Sequence, residues 1–136
     1  MTEEAMANLA ASPQAYRRGA VLAASPIELV VILYDGARRF LRQATAAMGD
    51  GQIERAHITL RHAEMIIGHL DGTLDLEQGG DVAQRLRDVY GFCLRHLNKA
   101  RMAQDPAMVD EVHELLGDLR EAWSQIASSE SGVTRA

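Results

Sequence analysis

Four stretches of this chain repeat their apolar side chains at steps of three and four residues. The breaks between them are short: Gly49-Asp50-Gly51, Glu77-Gln78-Gly79-Gly80 and Asp105-Pro106. A period near 3.6 lays such residues on one face of a helix. Links this short make consecutive helices run antiparallel, so the expected architecture is an all-α, antiparallel four-helix bundle. The most regular seam is Ile53, Ala56, Leu60, Ala63, Ile67, Leu70 and Leu74, within a second helix expected over residues 52–74.

The first helix has the clearest start. Ser25 offers a hydroxyl to the orphan N–H groups of the first turn, and Pro26 falls where its missing N–H costs nothing. Glu28 stands three residues after Ser25 and completes a capping box. Behind it Val30, Leu33, Tyr34, Ala37, Phe40, Leu41, Ala44 and Met48 form the inward stripe. The run from Leu29 to Tyr34 is apolar without a break, and Leu29, Val31 and Ile32 point away from that stripe. On the second helix Ile58, His62, Met65 and His69 fall nearly opposite the core seam, since each residue advances by about 100°. Both helices therefore carry more apolar surface than an isolated bundle buries.

Glu77 to Gly80 reads as a loop and Asp81 as the cap of the third helix. Its seam is Val82, Leu86, Val89, Tyr90, Cys93, Leu97 and Ala100, with Phe92 and Met102 off it. Asp105-Pro106 repeats the cap-then-proline start. The last helix carries Met108, Val109, Val112, Leu115, Leu116, Leu119, Trp123 and Ile126 on one side. The expected organisation is a leader over 1–24, a helical bundle over 25–127 and a flexible tail over 128–136, the leader either loosely ordered or holding a short extra helix.

At 136 residues the chain is long enough for one continuous core. A formal charge of −5 argues against nucleic acid as a partner, which requires a clustered basic face. No apolar run approaches the roughly 20 residues that span a bilayer. With Glu3 and Glu4 and no basic residue before Arg17, the N-terminus does not read as a secretory signal. Cys93 is the single cysteine, which excludes an internal disulfide and suits a reducing cytosol.

Chemistry-bearing patterns are sparse. Glu54-Arg55-Ala56-His57 has the Glu-x-x-His spacing of di-iron bundles, but it lies off the core seam and lacks accompanying inward carboxylates, so solvated helix faces are the expected outcome. His69 faintly resembles the exposed histidine of phosphotransfer bundles. That family places a lysine three residues further on, whereas Gly72 stands there beside Asp71. Cys93, on an apolar seam, reads as a buried inert thiol. No enzyme activity and no cofactor or metal site is expected.

Tyr16, the run Ala24-Ser25-Pro26-Ile27-Glu28-Leu29, and then Leu33-Tyr34-Asp35-Gly36-Ala37 with Phe40-Leu41 closely resemble the flagellar secretion chaperone FliS family. The segment from Ala63 through Ile66, Ile67, Leu70 and Leu74 to Asp75 is similar to its second signature, and Tyr90 and Trp123 also fit. The resemblance covers roughly residues 14–126. It implies a cytosolic, non-enzymatic chaperone that binds the disordered C-terminal segment of flagellin. Such a chaperone prevents early polymerisation and assists delivery to the type III export apparatus. It further implies that the leader, through Tyr16, folds over the binding groove until flagellin displaces it.

A tail that folds onto a surface as a helix requires apolar contacts at helical spacing. The expected contact residues are Tyr16, Leu29, Val31, Ile32, Ile58, His62, Met65, Ile66 and His69. Contact is expected to be mainly apolar and weakly dependent on salt. Two alternatives stay open, a histidine phosphotransfer-like bundle and a purely structural helical dimer; a homodimer is also compatible with chaperone function.

Overall fold

The computed structural model describes residues 24–135, with side chains described as far as residue 129. Four helices follow one another: α1 (Pro26–Gly49), α2 (Ile53–Gly72), α3 (Leu76–Ala103) and α4 (Pro106–Arg135). Each start has a physical cause. The Ser25 side chain accepts from the Glu28 N–H at 3.2 Å, and the Asp75 carboxylate accepts from the N–H groups of Glu77 and Gln78, both at 3.1 Å. Asp105 likewise accepts from the Ala107 N–H at 3.0 Å. At the far end of α3 the backbone turns left-handed at Gln104 (φ 50), which stops that helix just before the proline of the next.

Cross-helix contacts fix the antiparallel register. Asp35 meets Arg120, and seven residues further along α1 Arg42 meets His113, seven residues earlier on α4. Phe40 meets His62 edge-on, while Gly36 lies against Ile66. Asp71 faces Arg87 at 3.6 Å, Glu64 pairs with Arg101, and His96 meets Glu111 at 2.5 Å. The helices thus close a ring in which α1 makes its most extensive contacts with α2 and α4.

The core joins Tyr34, Leu41, Leu60, Ile67, Tyr90, Cys93, Leu97, Val109, Val112 and Leu116. Ala37, Ala44, Ala56, Ala63 and Ala100 are fully buried between them. Small residues at these positions let helix axes approach closely, and the large side chains fill the remaining layers. At the centre the Tyr34 and Tyr90 hydroxyls are 2.6 Å apart, so each phenol satisfies the other in a place that excludes water.

The structure departs from the expected pattern in α3 and at the start of α2. Glu77 to Gly80 is not a loop. Helix α3 begins at Leu76 under the Asp75 cap, and a break at Gly80 (φ 52, ψ −129) kinks it. Only glycine adopts that backbone comfortably. Val82, just past the kink, is 65% exposed, and the smaller Ala83 takes the inward position. Ile53 is 64% exposed, because it is the first residue of α2 and has no preceding helical turn beside it. The helical backbone of α4 continues to Arg135.

Candidate functional site

Two surface grooves hold exposed apolar side chains, Ile53 and Ile58 in one and Val82 in the other. The first is an open groove of about 840 Å³ between the C-terminal half of α1 and the N-terminal half of α2. Phe40 and Gln43 line it from α1, and Ile53, Arg55, Ile58 and His62 from α2. The Phe40 and His62 rings meet edge-on with centroids 4.9 Å apart, so the imidazole covers the aromatic face and forms the groove wall. Ile58 is 47% exposed, and Met65, two turns along, is 67% exposed. A methionine there presents a flexible, polarizable surface that repacks easily.

Of the expected contact residues, His62, Met65 and His69 are exposed along the same side of α2 as Ile58. Ile66 is half-buried, because it packs onto the core and reaches Gly36 of α1. Leu29 and Ile32, also half-buried, precede Gly36 by seven and four residues and so share its α2-facing side. Val31 does not join them. It precedes Asp35, Arg38 and Arg42 by four, seven and eleven residues, on the side that faces α4. Tyr16 lies outside the described residues.

Phe40 and Ile53 were assigned from the sequence to the core seam, yet both line this groove. Phe40 could have been found by its size: a half-buried phenylalanine opposite exposed groups on the next helix leaves a ring edge open. Nothing in the periodicity distinguishes Ile53.

A second, smaller cleft of about 320 Å³ opens at the end of the bundle where α1 starts. Val30, Leu70, Leu74, Val82, Leu86, Tyr90 and Trp123 line it, and its walls are mostly apolar. Tyr90 thus faces the core hydroxyl pair on one side and this cleft on the other. Burial and the Tyr34 hydroxyl raise the Tyr90 phenol above its ordinary value, so it stays neutral at physiological pH.

The α1–α4 side is polar. Arg120 grips Asp35 with two nitrogens at 2.9 and 3.4 Å. Arg38 Nε donates to the His113 carbonyl at 3.2 Å, and Arg42 Nε to His113 Nε2 at the same distance. The ring nitrogen facing Arg42 must therefore be unprotonated. Burial, then the charges of Arg38 and Arg42, lower the His113 pKa accordingly.

The residues weighed for chemistry are dispersed. Glu54, His57 and His69 are each exposed on α2. No group of three or more His, Cys, Asp or Glu able to hold a metal ion occurs among the described residues. Cys93 is fully buried, and burial pushes its thiol up to about 11. No described helix is long and apolar enough to cross a membrane.

The described residues form an all-α helical bundle with a mixed groove and a smaller apolar cleft on its surface. The family model described as "Flagellar protein FliS" matches residues 6–130. The flagellar secretion chaperone FliS of Vibrio cholerae is 36% identical over 129 residues, covering 92% of this chain and 95% of the relative. Its namesake in Salmonella typhimurium is 35% identical, covering 82% of this chain and 84% of the relative. That of Bacillus subtilis is 33% identical, covering 85% and 86%. The chain belongs to the FliS family of flagellar secretion chaperones, a family of chaperones and not of enzymes.

Proposed function

We propose that this chain is a cytosolic export chaperone that holds the disordered C-terminal segment of flagellin. It prevents early polymerisation and assists delivery to the type III flagellar export apparatus. One observation carries the reading: on a chain of this family, Ile58 stands exposed in a groove walled by Phe40 and His62, and Met65 is exposed two turns along the same helix. An unfolded segment loses conformational freedom when it docks, so binding requires a large apolar surface to offset that loss. A ridge at helical spacing supplies it in the form a docked helix can match.

The leader over 1–24 covers the apolar surface in the client-free chaperone, with Tyr16 as an anchor. The cleft lined by Val30, Leu74 and Trp123 supports this, because it opens near the start of α1, where the leader joins.

The test is calorimetric titration of the full-length protein with the C-terminal peptide of its own flagellin. One-to-one binding with a clearly negative heat-capacity change is expected. Ile58→Asp or Met65→Asp should weaken binding by about tenfold or more, roughly 1.4 kcal/mol, with helicity unchanged. No binding by the wild-type protein would overturn the reading, and unfolding of either variant would place that residue in the core instead.

A further inference from the structure

Past its kink at Gly80, α3 is basic, while α4 is acidic. From Val82 to Ala103, α3 holds Arg85, Arg87, Arg95, Lys99 and Arg101 against Asp88. From Pro106 to Ser129, α4 holds Asp110, Glu111, Glu114, Asp118 and Glu121 against Arg120. Neighbouring helices absorb part of this charge. Arg87 faces Asp71 and Arg101 pairs with Glu64, both on α2, and Arg120 holds Asp35 on α1. The remainder balances. Arg85, Arg95 and Lys99 are exposed with no acid within ion-pair distance among the described residues, and Asp110, Glu114 and Asp118 are exposed with no cation. Although α3 and α4 are neighbours, the one charged contact between them among the described residues is His96 with Glu111.

Between the two charged rims runs an apolar strip. Val82, Val89, Phe92 and His96 follow at steps of seven, three and four on α3, and Leu115, Leu119, Ala122 and Ile126 at four, three and four on α4. The His96 imidazole stacks on the Phe92 ring with centroids 5.0 Å apart and reaches Glu111, which precedes Leu115 by four, so both rows border the α3–α4 seam. Phe92 is 44% exposed, and Val82 and Ile126 are exposed as well. Phe92 and Ile126 belong to neither groove described above.

We infer that this face takes a second copy of the chain, related by a two-fold axis parallel to the bundle. That axis sets α3 against the partner's α4 and α4 against the partner's α3, at the levels they occupy within one chain. The His96–Glu111 contact fixes those levels. Arg85 then comes within about one turn of the partner's Asp118, Arg95 of the partner's Glu114, and Lys99 of the partner's Asp110. An acidic partner would satisfy only α3 and a basic one only α4. The same chain satisfies both, and a two-fold axis repeats each contact. The face is roughly 30 Å long and two helices of about 10 Å wide, at the small end of specific interfaces. The dimer is therefore weak, in rapid exchange and sensitive to salt. It leaves the α1–α2 groove, on the opposite side of the helix ring, open to a client.

The experiment is sedimentation velocity of the full-length protein alone, from about 1 to 200 μM and at low and high salt. A monomer–dimer equilibrium that salt weakens is expected. Arg85→Glu/Arg95→Glu/Lys99→Glu and Asp110→Lys/Glu114→Lys/Asp118→Lys should each dimerise at least about tenfold more weakly, because both rims then carry one sign. Mixed in equal amounts, the two variants should form a heterodimer, since every rim again meets its opposite. Phe92→Ser should weaken the dimer by about tenfold with charge unchanged, and Met65→Asp should leave it intact. Circular dichroism checks that each variant keeps its helicity, and Phe92→Ser decides alone if a triple variant does not fold.

A wild-type protein that stays monomeric throughout would overturn the inference. So would a dimer that neither reversal nor Phe92→Ser weakens, or folded reversed variants that stay apart when mixed. A dimer broken by Met65→Asp would place the second copy in the α1–α2 groove, and one formed only after removal of residues 1–23 would make the leader the occupant. A monomer whose binding of the flagellin peptide the α3 reversal weakens would give the face to the client. Each of these three results overturns the inference as well, and none of them decides whether a client binds.

Discussion

Tyr34 and Tyr90 share one buried hydrogen bond at 2.6 Å; Trp123 also stands within reach of the Tyr34 hydroxyl, whereas the Tyr90 hydroxyl depends on Tyr34. Removing the Tyr34 hydroxyl leaves that of Tyr90 desolvated and unsatisfied, whereas removing both leaves two apolar rings of the same shape. Tyr34→Phe should therefore cost about 1–3 kcal/mol in chemical denaturation. The double variant Tyr34→Phe/Tyr90→Phe should cost less than the two single changes together. An additive double variant would mean that the phenols do not depend on each other. The sequence placed both tyrosines on inward seams, because both hold to the 3,4 spacing. That their hydroxyls meet follows from the register between α1 and α3, which no spacing within one helix contains.

Among the elements, α3 departs furthest from its pattern. Two glycines in a row read as a loop, but the chain needs only one residue to change direction. Gly79 is constrained by closeness, since a Cβ there would stand 2.6 Å from that of Ala83. Gly80 is constrained by its backbone, at φ 52, with open space where a Cβ would go. Gly80→Ala should then destabilise by about 1–3 kcal/mol through backbone strain alone. Gly68→Ala, inside α2 with equally open surroundings, should stabilise by up to about 1 kcal/mol. Denaturation midpoints moving in opposite directions would support this; a parallel shift would sink the strain argument. On α2 itself, the outward set Ile58, His62, Met65 and His69 was legible because a helix face is a property of spacing. Val31 was misgrouped with Leu29 and Ile32 because being off the stripe does not tell which neighbouring helix a residue meets.

For the molecule as a whole, the α1–α4 side couples stability to pH. In the folded chain His113 is partly buried between Arg38 and Arg42 of α1, with Asp110 opposing them weakly from its own helix, and its pKa is lowered. The unfolded chain then binds the proton more readily. Stability from this group is fully present above the unfolded value of about 6.5 and is lost as pH falls toward the lowered folded value. Denaturation between about pH 7 and pH 5 should show the wild-type protein losing more stability than His113→Gln. Parallel curves would mean that His113 is not the coupled group. Cys93 bears on the same range only as a bystander, since its buried thiol, pushed up to about 11, stays protonated.

The sequence by itself determined the helices, their starts at Ser25-Pro26 and Asp105-Pro106, most of the inward residues, and the family. Each of these is set by interactions within a few residues along the chain, or by a linear motif. Only the tertiary structure decided that Ile53 and Val82 face solvent, that α3 runs through its glycine pair, and that Phe40 and His62 build a groove wall. It also decided which acids pair across to α3 and α4. These outcomes depend on the rotation and register of one helix against the next, which packing of side chains far apart in the chain sets.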